Sequence, residues 1–120
     1  MKELFPATGN GHGGPAITSL QLYLNPDACR MDLAAVGKLH RWNDLKVLDI
    51  SRVEFRGSPV WIYFNYDQIT DPSGVVGDNA EASAEKGEVE FDKMVDDSEA
   101  FVEWMKGISW KGQTGQRVAT

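Results

Sequence analysis

One cysteine, Cys29, stands in a chain of 120 residues, so no disulfide can form within it and the core must close by packing alone. Histidine is almost as scarce, with only His12 and His40. A structural zinc site takes three or four donors, mostly Cys and His, so one built here would have to borrow carboxylates. No apolar run is long enough for a signal peptide or a bilayer span, which leads to the expectation of a soluble cytoplasmic protein. Basic residues are missing where acids are densest. From Asp78 to Glu103 there are ten carboxylates against two lysines. A field of that sign repels phosphate backbones and argues against direct nucleic-acid binding.

What is present suits one small folded domain. Apolar residues make up 42% and charged residues 25%, and aromatic and β-branched side chains run along most of the chain. The formal net charge of −6 is uneven. Residues 1–66 carry seven bases and six acids, residues 67–104 carry two bases and twelve acids, and the last sixteen residues carry three bases and no acid.

Gly and Pro dominate residues 1–16, and "GNGHGGP" reads as a flexible arm. Its G-x-G precedes an apolar segment and lacks a following Gly-Lys-Ser/Thr, so it matches neither a Walker loop nor a dinucleotide loop. Leu20, Leu22 and Leu24 alternate with polar neighbours, which predicts a strand over Ile17–Leu24. Asn25 and Pro26 resemble a helix start, and Met31, Ala35, Leu39 and Trp42 recur at helical spacing, so a helix is expected from Asn25 to about Trp42. Leu45–Phe55 reads as a strand with a bulge, "RGSP" as a turn, and 60–66 as a central strand covered on both faces. The punctuated stretch 67–87 reads as a long acidic loop, "EVEFDKMV" as a short strand, and "DDSEAFVEWMKGI" as a closing helix stopped by Gly107. These elements give an α+β sandwich in the order β-α-β-β-β-α. Its mixed or antiparallel sheet would hold three to four strands with two helices on one face, over residues 17–110, followed by a loose tail at 111–120.

No catalytic set assembles from this pattern. Cys29 and His40 would lie about 16 Å apart along one helix, and Asp67, Asp71 and Asp78 lack the spacing of a calcium loop and read as turn formers. No metal and no cofactor are expected. The leading expectation is therefore a non-enzymatic acidic binding protein, an inhibitor or immunity-type partner of a basic protein surface. Its contact face would be Glu81, Glu85, Glu88, Glu90, Asp92, Asp96, Asp97, Glu99 and Glu103. A second reading is a small-molecule-binding domain or small enzyme. Its pocket would be lined by Trp61, Tyr63 and Tyr66, with Asp67, His40 or a glutamate acting on the ligand. A third is a homo-oligomer packed through a two-faced apolar strand.

Overall fold

The computed structural model describes residues 4, 5 and 11–109. Among the described residues the fold is α+β, with two helices, a three-stranded antiparallel sheet and a two-stranded antiparallel sheet. The chain divides into two compact units, Met1–Glu90 and Phe91–Thr120.

The first helix, α1, spans Pro15–Leu24, where a strand was expected. Pro15 starts it at a position whose missing N–H costs nothing. The leucine alternation misled because α1 does not bury its most apolar face. Ile17 and Leu24 are exposed, while Pro15, Ala16 and Ser19 are buried. The expected helix from Asn25 does not form either. Two 3₁₀ turns, Pro26–Ala28 and Met31–Leu33, lead into β1 at Val36–Gly37. That strand pairs antiparallel with β5 at Gly77–Asp78, matching Val36 to Asp78 and Gly37 to Gly77. A long-range pairing of this kind outweighs a local helical preference of a few tenths of a kcal/mol per residue. It also requires Gly37: a Cβ there would lie 1.9 Å from the Val75 carbonyl oxygen.

The residues "RWND", expected to end a helix, make a tight turn instead. Asn43 and Asp44 both have positive φ, and Trp42 and Leu45 exchange two backbone hydrogen bonds of 3.0 and 2.8 Å across them. A meander follows, with β2 at Lys46–Asp49, β3 at Arg52–Phe55 and β4 at Ser58–Trp61. The irregularity expected near Val47 and Leu48 falls between Val47 and Asp49. There Asp49 accepts from the Ser51 backbone N–H (2.9 Å), the Ser51 hydroxyl (3.0 Å) and Arg52 (2.6 Å), closing the β2–β3 turn. Arg56 and Gly57, both at positive φ, form the two-residue β3–β4 turn. β4 is an edge strand with every residue exposed, unlike the doubly covered strand expected at 60–66. Val47, Val53 and Ile69 form the core, with Leu39, Trp42, Leu45, Ile62 and Phe64 packed around them.

The second helix, α2, spans Ala84–Lys106 and absorbs the short strand expected at "EVEFDKMV". Glu, Lys and Met favour helix, and Ser83 caps its start by accepting from the Lys86 N–H at 3.2 Å. Near that start α2 meets α1 through small residues. The Ser83 N–H donates to the buried Ser19 hydroxyl at 3.1 Å, and a Cβ on Gly87 would lie 2.0 Å from the Ser19 carbonyl oxygen. In an ordinary helix interior Gly→Ala stabilises by about 1 kcal/mol. Here the sign reverses: Gly87→Ala is expected to destabilise by about 1–3 kcal/mol, read from the urea midpoint of the full chain.

Candidate functional site

Two histidines far apart in sequence are anchored to one loop, residues 65–76. The loop is held from within. Asn65 and Gln68 form a reciprocal capping box around the 3₁₀ turn Tyr66–Gln68. The Thr70 hydroxyl and N–H both donate to the Tyr66 carbonyl, at 2.6 and 2.9 Å. The Gly74 N–H closes a turn onto the Asp71 carbonyl at 2.8 Å. The "DPSG" step thus supplies the turn that its residue types promise.

His12 reaches this loop from the glycine-rich stretch. Residues 11–14, expected to belong to a flexible arm, form a turn seated on Val76. The Gly14 N–H donates to the Gly11 carbonyl (3.0 Å), and the Val76 N–H donates to the His12 carbonyl (2.8 Å). Gly11 is required because a Cβ would lie 1.9 Å from the Val76 carbonyl oxygen. The His12 ring packs on Tyr66 with centroids 4.4 Å apart. Its Nδ1 lies 3.0 Å from the Gly74 carbonyl oxygen. A carbonyl only accepts, so Nδ1 carries the proton and Nε2 is left with a lone pair.

His40 meets the same loop from the other side of the sequence. Its backbone N–H donates to the Ile69 carbonyl at 2.7 Å, and its Nε2 lies 2.6 Å from Asp71 Oδ1. The second Asp71 oxygen accepts from the Lys38 backbone N–H at 3.2 Å. These two bonds, the imidazole first, hold the Asp71 carboxyl below its usual range. With Nε2–H donating to a carboxylate, Nδ1 of neutral His40 is the free lone pair. His40 and Asp71 are both partly open to solvent, at 44% and 35% of their side-chain surface.

Trp61, Tyr63 and Tyr66 border an open cleft of about 440 Å³ together with Ile50, Ile62 and Phe64. Trp61 carries the Arg52 guanidinium 5.4 Å from its ring centroid. Tyr66 belongs both to this cleft and to the His12 contact. Cys29 stands apart, half-buried beside a different cavity of about 270 Å³. Asp67 lies in the 3₁₀ turn Tyr66–Gln68, and Asp78, in β5, accepts from the Ala80 N–H at 2.9 Å.

Of the acids expected to form one contact face, seven are exposed along α2, while Glu81 lies before that helix and Glu90 is turned inward. Glu81 is half-buried in a 3₁₀ turn, and Glu85 and Glu88 are exposed in the first turns of α2. Glu90 is 3% exposed, with an oxygen that finds no partner among the described residues, and burial pushes its carboxyl pKa up. Asp92, Asp96, Asp97, Glu99 and Glu103 are exposed further along, with Asp97 paired to Lys93 and Glu103 to Lys106.

With this geometry in view, comparison with known proteins is decisive about class. Residues 2–102 match the creatininase family, described as creatinine amidohydrolase, and the chain belongs to that family. No curated protein and no solved structure matches the chain. The family is one of metal-dependent hydrolases, which points to an enzyme and overturns the expectation of a non-enzymatic inhibitor or immunity-type binder. No helix among the described residues is long and apolar enough to cross a membrane.

A hydrolytic metal centre normally takes three protein donors, and its histidines usually give their second N–H to a carboxylate or carbonyl. His12 and His40 have that second feature. The first is not met: among the described residues no three His, Cys, Asp or Glu side chains converge. The described donors therefore do not make a complete centre, and no chemical step is assigned to a metal.

Sequence reasoning passed over His12 because glycine-rich segments usually lack structure. The signal was a histidine enclosed by glycines that allow close backbone approach. The His40–Asp71 pair spans 31 positions and leaves no local signature.

Two outcomes follow for pH. Because Asp71 titrates lower in the folded state than when unfolded, its pairing stabilises above the unfolded pKa, and that contribution is lost as pH falls through the folded value. Asp71→Asn should therefore flatten the acid limb of a stability–pH curve. Glu90 has the opposite sign. Its folded pKa is raised, so its contribution is favourable below the unfolded value and lost as pH rises through the folded one. Glu90→Gln should match the parent in acid and exceed it in stability at neutral pH, read by denaturant titration at both pH values.

Proposed function

We propose that the chain is a hydrolase of carbon–nitrogen bonds in small amides, the chemistry for which its family is named, acting at loop 65–76. The observation that carries this reading is the family match across residues 2–102. The paired His40 and Asp71 support it, since they have the form of an oriented general base.

In this reading Asp71 holds His40 in one tautomer, with Nε2–H toward the carboxylate and Nδ1 facing the reacting water. His40 takes a proton from that water as its oxygen bonds to the amide carbon. The carbonyl electron pair moves onto its oxygen. The intermediate then collapses, the carbon–nitrogen bond breaks, and the proton on His40 passes to the departing nitrogen. Tyr66, already against His12, presents a ring face on which a planar cyclic amide packs, with Trp61 and Tyr63 extending that apolar wall. His12 offers Nε2 as an acceptor for a substrate N–H.

The test is turnover of creatinine and a panel of other small cyclic amides by the purified chain, followed by release of the ring-opened acid. His40→Gln keeps the size and removes the base, and should lower kcat by about 10²–10⁴-fold with the far-ultraviolet circular dichroism of the parent retained. Absence of turnover for every cyclic amide would overturn the proposal.

A further inference from the structure

The second unit presents two adjoining stripes along α2. At about 100° per residue, Met94, Val95, Ser98, Phe101, Val102 and Met105 fall within an arc of about 120°. Met94, Val95, Phe101 and Val102 are between 47% and 57% exposed, far more than such side chains keep when covered. Met94, Val95, Ser98 and Val102 form a shallow, open apolar surface on α2, with Glu99 and Glu103 on its edge.

On one flank Asp92, Asp96, Glu99 and Glu103 fall within an arc of about 60° on the same geometry, while on the other flank Asp97 is paired with Lys93. Like charges at these i, i+3 and i, i+4 spacings cost a helix about 0.2–0.5 kcal/mol per pair. The lysines of this stretch do little to relieve it. Lys93 lies 2.9 Å from Asp97, and Lys106 lies 2.5 Å from Glu103. Asp92, Asp96 and Glu99 have no ion pair among the described residues. A second copy of this chain would bring the same acids, with its lysines already engaged, so it is the wrong occupant on charge.

We propose that this face docks an amphipathic helix from a different protein, one whose apolar stripe is flanked on one side by lysine or arginine. Its apolar side chains pack on this open surface, and its cations neutralise the Asp92–Asp96–Glu99 stripe. This is an assembly surface beside the hydrolytic reading, and it stands on the charge and exposure of α2 independently of that reading.

The experiment titrates the full chain against a fluorescently labelled helical peptide. The peptide carries leucines at i, i+3 and i+4 and lysines along one flank, and a companion carries glutamates in place of the lysines. Polarisation should show saturable binding of the lysine peptide. Binding should be at least about tenfold weaker for the glutamate peptide, for a chain carrying Asp92→Lys and Glu99→Lys, and in high salt. Val102→Ser should also weaken it, and circular dichroism confirms that each variant keeps its helix; Glu99→Gln replaces any charge-reversed variant that loses it. Equal binding of both peptides, or no saturable binding, overturns the proposal. So does light scattering that shows a dimer which Val102→Ser dissociates, since the stripe would then already be covered by a second copy.

Discussion

The arrangement around the two histidines depends on how closely backbone can approach backbone at Val75 and Val76. Gly11 sits against the Val76 carbonyl and Gly37 against the Val75 carbonyl, each where a Cβ would lie 1.9 Å from oxygen. Any side chain would force these segments apart by more than an ångström to reach ordinary contact. Three stretches, 11–14, 36–37 and 75–78, are thus joined at glycine contacts. The first brings His12 in, the second leads through Lys38 to His40, and the third follows the turn that carries Asp71 and Gly74.

The hydrogen bonding of loop 65–76 turns this proximity into orientation. Each imidazole has one nitrogen committed to an oxygen of the loop and one left over. That is how proteins fix a tautomer, whether the free nitrogen then serves as a base or as a ligand. Tyr66 ties the arrangement to the aromatic cleft on the meander. The meander in turn is stiffened by Asp49, which satisfies three donors at one turn.

Helix α2 has a different economy at its two ends. Near Gly87 it is pressed against α1 with small residues in contact and Glu90 turned inward. Beyond Phe91 its apolar side chains stay half exposed beside a row of acids. The high acidity of this segment was the most visible feature of the sequence, and it misdirected the functional reading. Charge density says what a surface repels, while the family match extends over residues 2–102.

Legible from the residues alone were the α+β class, the turn at Arg56–Gly57, the irregularity near Val47, and the concentration of charge in 67–104. These are local properties: alternation, turn chemistry and composition act within a few residues. Packing in three dimensions made Ile17–Leu24 helical, since its buried face is made of Ala16 and Ser19 and not of its leucines. It alone replaced the expected helix after Asn25 with 3₁₀ turns and a strand, because pairing with Gly77–Asp78 lies some forty residues away. It also decided that His40 meets Asp71 and that His12 meets Tyr66 and Gly74. Such contacts come from chain reversals and close packing between distant segments, and no one-dimensional spacing encodes them.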